Sequence, residues 1–236
     1  MRQQRATATR EKLVRAATEL IRRKGYTATT IDDICEQSAV TKGAFFHHFK
    51  TKEDLVEASL VAWDCQAASM VAAAPFQAIK DARKKALGYM DFYTGLFDNP
   101  KVLKSCLAGT TAQEVSDTNP ALRKAANACF QNAQERFQSL LDDACKGSRK
   151  RVDTAALAAL WSATLQGSFI LSKASQDGAI VRRNLEQLRR YIASLLPGAD
   201  SLPARNCEAM NETHFSKPGW EFMRELAAQL MPRSGI

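Results

Sequence analysis

The sequence contains no CxxC pair. Its six cysteines (Cys35, Cys65, Cys106, Cys129, Cys145 and Cys207) are scattered along the chain, so neither a zinc site nor a disulfide framework has its spacing, and reduced thiols are expected. There is no uninterrupted apolar run of about 18 residues, the length a membrane-crossing helix needs. The start, Met1-Arg2-Gln3-Gln4-Arg5, is basic but lacks the apolar segment of a secretory signal. These absences lead to the expectation of a cytoplasmic protein without a membrane partner. No GxGxxG, P-loop, HExxH, GxSxG or SxxK pattern is present either, so no enzyme and no cofactor are expected. His47 and His48 are adjacent; on a helix they point about 100° apart, which makes a poor metal pair. The acid pairs have plainer roles: Asp32-Asp33 suits a helix N-terminus, and Asp142-Asp143 suits a solvated helix face. No segment alternates apolar and polar residues as a half-buried strand does, which leaves an all-α fold.

What the chain does have is positive charge, unevenly placed. Its 236 residues are 45% hydrophobic and 25% charged, ordinary for a globular protein of one large domain or a small and a larger one. The formal charge is +8, and residues 1–52 hold 11 Lys/Arg against 5 Asp/Glu, leaving +2 for the rest. Basicity gathered at one end suits a polyanionic partner there.

Local signals divide the chain. Leu13, Ala16, Ala17, Leu20 and Ile21 fall on one helical face, and Gly25 follows Lys24 where a C-cap is expected. Thr30-Ile31-Asp32-Asp33 has the form of a capping box, and Thr51-Lys52-Glu53-Asp54 repeats it to open a long helix that ends before Pro75. Helices are expected over 76–97, 101–116, 120–146, 153–175 and 181–196, separated by Asn99-Pro100, Asn119-Pro120, Gly147-Ser148 and Asp177-Gly178. Residues 197–219, with Pro197, Pro203 and Pro218, read as a linker before an amphipathic helix over Trp220–Met231. The expected units are 1–52, 53–196 and 197–236.

Two short helices at about 30–36 and 41–47, joined by a tight turn, make a helix-turn-helix. Ile31, Ile34, Val40 and Phe45 would anchor it. The second helix opens Thr41-Lys42-Gly43-Ala44, small and cationic, as a helix entering a DNA groove needs: a Lys there reaches guanine O6/N7. Its amide-rich start favours a phosphate, and Lys50 and Lys52 can neutralise backbone charge.

The run Thr29-Thr30-Ile31-x-x-Ile34, Val40-Thr41-Lys42-Gly43, Phe45-Phe46-His47-His48-Phe49-Lys50-x-Lys52-x-x-Leu55 closely resembles the tetracycline-repressor (TetR/AcrR) family over about residues 10–60. The resemblance implies phosphate contacts from Thr30 and Lys52, with Thr41, Lys42, Gly43 and Phe45 on or beside base edges. It places His47 at the DNA backbone and Phe49 between the two helical domains. Two positions depart from the family. Ala39 stands at the usual turn glycine, and if the turn needs φ > 0 an alanine costs roughly 1 kcal/mol. Phe46 stands where a tyrosine commonly donates to phosphate, so one contact is missing.

For the larger domain the resemblance implies a homodimer and an unidentified small-molecule effector. The effector would release a palindromic double-stranded DNA operator. The dimer would form through helices at about 153–175 and 181–196, the first of which is rich in Ala, Ser and Gly that allow close approach. Trp63, Phe92, Cys106, Thr110, Gln113, Trp161 and Gln166 are the candidate effector contacts. Cys106, near Lys101 and Lys104, also carries an alternative in which a reactive thiol senses electrophiles or oxidants. Its plainer role is that of a small core residue. An enzyme with an incidental basic head is the third alternative.

Overall fold

The computed structural model describes residues 2–98, 105–149 and 151–198. Among them every regular element is a helix. Helix α1 (Arg2–Lys24) ends in Arg22-Arg23-Lys24, cations that suit the negative end of the helix dipole. Gly25 then reverses the chain at φ 94, a conformation that favours glycine. Helices α2 (Ile31–Ser38) and α3 (Lys42–His48) follow, and α4 (Lys52–Ala72) leads away. Both expected capping boxes are formed. The Thr30 hydroxyl accepts from the Asp33 amide while the Asp33 carboxylate accepts from the Thr30 amide, and Thr51 and Asp54 do the same for α4. Such a cap contributes about 1 kcal/mol. Leu13, Ala17, Ile34 and Phe45 are fully buried at the centre of this small unit, together with Leu55 from α4. The first turns of α4 therefore belong to the head's core.

The remaining helices are α5 (Ala82–Leu96), α6 (Leu107–Val115), α7 (Pro120–Cys145), α8 (Thr154–Ser175) and α9 (Ala179–Leu195). The single helix expected over 76–97 is two elements. Pro75–Ala78 form one 3-10 turn, and Asp81 begins α5 afresh by accepting the Lys84 amide at 2.7 Å. The helix expected over 101–116 begins only at Leu107, because Cys106 is extended (φ −118, ψ 131) and forms its N-cap. Residues 101–104, with Lys101 and Lys104, lie outside the described residues, as do Cys207, most of the expected linker and the expected Trp220–Met231 helix.

An aromatic cluster fills the centre of the larger unit. Tyr89 stacks on Phe137 at 4.7 Å, and Trp161 lies 5.6 Å from Phe137 and 6.1 Å from Tyr89. Burying one such ring is worth about 1.5–3 kcal/mol. A second apolar cluster joins the head to this core: Ile21 and Tyr26 follow from α1 and its turn, Val56 and Leu60 from α4, Leu107 and Val115 from α6, and Leu122 from α7. Helix α8 is long and apolar enough to cross a membrane by length and composition. Its flanks pack on α7 and α9, and its buried Trp161 and Phe169 also meet Tyr89, Tyr93 and Phe97 of α5 and its C-cap. One face stays open and presents Leu160, Ile170 and Leu171.

Candidate nucleic-acid interface and effector region

Helix α3 is fixed from behind and open in front. Phe45 is fully buried against Ile34, Leu13 and Leu55, so it supports the helix and has no surface to offer a base, which corrects its expected place at the base edges. Thr41, Lys42, Gly43, Phe46, His47 and Lys50 are all exposed. Thr41 is the N-cap of α3, its hydroxyl accepting from the Ala44 amide at 3.2 Å. A β-carbon built on Gly43 would meet nothing within 4 Å, and Gly43 has no positive φ. Nothing inside this chain requires a glycine there, although glycine within a helix costs about 1 kcal/mol relative to alanine. The missing side chain leaves room for a surface outside the chain to approach the backbone.

The charges around α3 are arranged by α2. Lys42 Nζ lies 2.8 Å from Asp32 Oδ1, and this hydrogen bond raises the Lys42 pKa, keeping the ammonium charged. Lys24 Nζ lies 2.8 Å from Asp33 Oδ2. That bond, followed by those from Thr30, holds the Asp33 carboxyl well below its ordinary range. His48 is pushed down by burial, then by His47 and Arg10, which disfavours its charged form.

Lys52 is placed differently from the other basic residues. Its ammonium donates to the Tyr26 and Thr29 carbonyls, each at 3.1 Å, and lies 3.9 Å from the Tyr26 ring centroid. These contacts hold the turn between α1 and α2, so the cation is engaged within the chain. The Tyr26 hydroxyl donates to Glu53 at 2.5 Å, and burial, then Glu53, raises the Tyr26 phenol pKa. Thr30 is likewise committed to its capping box with Asp33.

The turn between α2 and α3 has the geometry suggested by Ala39. That residue is in the left-handed region, φ 52 and ψ 43, and its amide donates to the Cys35 and Glu36 carbonyls. Ala39→Gly should therefore stabilise the protein by about 1 kcal/mol. Thermal denaturation would show this as a midpoint higher by about 2–4 °C. An unchanged or lower midpoint would mean that the strain is absorbed elsewhere.

The expected effector residues do not converge on one chamber. Trp161 and Phe92 lie in the main aromatic core, while Trp63 packs on the cluster that joins head and core. Cys106 touches both clusters. Gln166 approaches Gly109 so closely that a β-carbon there would lie 2.2 Å from its Oε1. Thr110 is half-buried, and the exposed Gln113 donates back to the Gly109 carbonyl.

The end of α1 is held by α6 and α8. Arg22 donates to the Ser105 carbonyl from Nε (3.2 Å) and Nη2 (3.1 Å), and its guanidinium lies 4.7 Å from the Trp63 ring centroid. The Glu114 carboxylate accepts from the Tyr26 amide (3.1 Å) and the Thr27 amide (2.7 Å). Lys173 donates to the Arg22 carbonyl at 3.3 Å. A β-carbon on Gly25 would meet the Glu114 carboxylate, which can move aside, so it is φ that favours glycine here.

Sequence reasoning missed one polar cluster. Asp64 on α4 accepts from Asn132 Nδ2 at 2.6 Å and from Arg136 Nη2 at 2.7 Å, both on α7. The signal for it was a carboxylate in the middle of an otherwise apolar helical stretch. Nearby, the Cys129 thiol is pushed up to about 12 by burial, then by Asp64.

A helix-turn-helix presenting a small, cationic helix beside a larger helical unit defines a DNA-binding transcriptional regulator. Residues 13–59 match the family described as bacterial regulatory proteins, tetR family, and residues 84–188 match the tetracyclin repressor-like C-terminal domain. The chain belongs to the TetR family. It is 27% identical over 188 residues to the transcriptional regulator AcuR of Cereibacter sphaeroides, covering 77% of this chain and 78% of that one. It is 25% identical over 185 residues to an HTH-type transcriptional regulator in the lacX 3′ region of Lactococcus lactis, covering 77% and 91%. A crystal structure of a TetR transcriptional regulator from Chloroflexus aurantiacus superposes with a TM-score of 0.72 at 26% identity, covering 83% and 98%. Dimerisation, operator binding and response to a ligand are typical of the family, which is generally non-enzymatic.

Proposed function

We propose that this chain is a non-enzymatic, cytoplasmic, homodimeric repressor whose grip on a palindromic operator is relieved by a small molecule. The observation that carries DNA reading is the open face of α3, where Gly43 has nothing to avoid within its own chain and Lys42 stands beside it. Thr41, Lys42 and Gly43 approach base edges; His47 and Lys50 lie at phosphates. Phe46, 50% exposed, supplies apolar contact where the family's tyrosine would donate. Lys52 and Thr30 order the backbone around the site, and any phosphate contact they make is secondary to that.

Dimerisation is supported by the open side of α8 and α9. Leu160, Ile170, Leu171 and Tyr191 are 40–54% exposed there, and such apolar side chains gathered on two adjacent helices mark an association surface. A two-fold axis through this face sets two α3 helices to read half-sites about 34–36 Å apart. Residues 1–52 then act as the reader, helped by the start of α4, and 53–196 as the dimerising, effector-responsive unit.

The test is selection of bound duplexes from a random DNA pool, followed by effector challenge of the recovered site. The expected result is an inverted repeat whose complex is dissolved by a small molecule recovered chemically unchanged. Recovery without sequence preference would reduce the chain to a non-specific binder. The thiol alternative has one supporting observation: Cys106 starts α6 next to Ser105, whose carbonyl holds Arg22. Release that survives Cys106→Ala separates the two mechanisms.

A further inference from the structure

Lys42, the cation at the reading end of α3, already has a partner. Its Nζ lies 2.8 Å from Oδ1 of Asp32 on α2. The two side chains are 58% and 72% exposed, so the pair stands on the open surface of the head. Lys50, just past the other end of α3, is exposed and makes no ion pair among the described residues. The fold thus neutralises the cation proposed for base edges and leaves uncompensated one proposed for phosphates.

The fold does not depend on this pair. Asp32 sits in the first turn of α2, where an acid suits the helix dipole, but the capping box is made by Thr30 and Asp33. Asp33 also takes Lys24 at 2.8 Å. An ion pair as exposed as that of Asp32 and Lys42 contributes little to stability. What it changes is the state of Lys42. A lysine carries its charge on a long flexible stem, and the facing carboxylate limits where that charge goes. The ammonium has three donors. Asp32 uses one, which leaves two for the O6 and N7 of a guanine. A phosphate is a different partner: the pair as a whole offers it no net charge.

We propose that Asp32 determines specificity: by holding Lys42 it withholds that charge from phosphates while leaving donors free for a base. Asp32 acts through Lys42 and does not itself touch DNA, so it is a positioning residue. Affinity for DNA of any sequence grows with each phosphate neutralised, whereas discrimination grows with base contacts. An acid that cancels the charge of one base-reading lysine lowers the first and spares the second. Non-operator DNA, which vastly outnumbers the operator in a genome, then competes less well for the protein. This inference rests on the reading of DNA by α3 proposed above.

The test measures the affinity of the full chain, at fixed salt, for the operator recovered by selection and for a duplex of unrelated sequence. Asp32→Asn keeps the shape of the side chain and removes its charge. It should bind the unrelated duplex about three- to tenfold more tightly, with a salt dependence there steeper by about one counterion. Affinity for the operator should not rise, so the ratio of the two affinities falls by about the same three- to tenfold. Asp32→Glu, which keeps the charge, should restore the ratio. With Lys42→Ala already in place, Asp32→Asn should leave the ratio nearly unchanged, because the two residues act as a pair. A ratio that Asp32→Asn does not move overturns the proposal. So does a fall of equal size in the Lys42→Ala protein, the mark of simple repulsion between Asp32 and DNA. If the unaltered protein shows a ratio near one, the reader itself is refuted, and Asp32 loses its role with it. A high ratio indifferent to Asp32→Asn refutes Asp32 alone and leaves the reader standing.

Discussion

Replacing Thr41 and Lys42 together with alanine lowers specific operator affinity by about 30- to 1,000-fold per half-site. Two contributions make up that range. A lysine on guanine is worth about 1–3 kcal/mol of discrimination, and loss of a helix cap about 1 kcal/mol, with 1.4 kcal/mol for each tenfold. The Thr41 hydroxyl accepts the Ala44 amide and so shapes the turn that presents Lys42 and Gly43. Its loss frays α3 at the end facing the groove. Thr41→Ser keeps the hydroxyl and with it the cap, and should retain most of the affinity. Electrophoretic shift at fixed salt measures the loss. Specific binding that survives the double substitution unchanged would remove α3 as the reader.

If the proposed α8/α9 face forms the dimer, introducing glutamates at Ile170 and Leu171 should split it and cost about 100- to 10,000-fold in operator affinity, the effective-concentration advantage that two linked heads enjoy over one. These side chains are 50% and 54% exposed in the single chain, so the protomer should still fold. Charges placed against their symmetry copies cannot be solvated or paired there. Sedimentation should report a particle near the 26.0 kDa of one chain, where the unaltered protein sediments at about twice that. The thermal midpoint of the isolated protomer should move little. A variant that stays dimeric would place the two-fold axis on another face.

Local chemistry made the head legible and left much of the core hidden. Thr30 and Thr51 announced α2 and α4 because a capping box is complete within four residues. Ala39 could be suspected of φ > 0 because it stands where the resembled family usually has a turn glycine, and its φ is 52. The break before α5 was hidden because Pro75 opens a helical turn as readily as it ends one; the capture of the Lys84 amide by Asp81 then restarted the helix. Lys52 looked like a phosphate contact from its charge and from the family resemblance, and only the fold brings it over Tyr26. The candidate effector residues were assigned from helices whose inward faces could not be read. Apolar residues surround α8 on nearly every side, so periodicity gives no direction. The Asp64–Arg136 pair joins positions 72 residues apart, a separation that no local rule reports.

The grip of α6 and α8 on the end of α1 has a consequence for dosage. Coupling between two binding sites is reciprocal, so an effector that weakens operator binding must itself bind less tightly to molecules already on DNA. Arg22, Glu114 and Lys173 supply direct polar contacts through which that exchange can run. Free copies of the regulator therefore fill with effector before operator-bound copies release. A cell holding a surplus of the protein has a built-in sink for the signal, and its genes answer only after that sink is saturated.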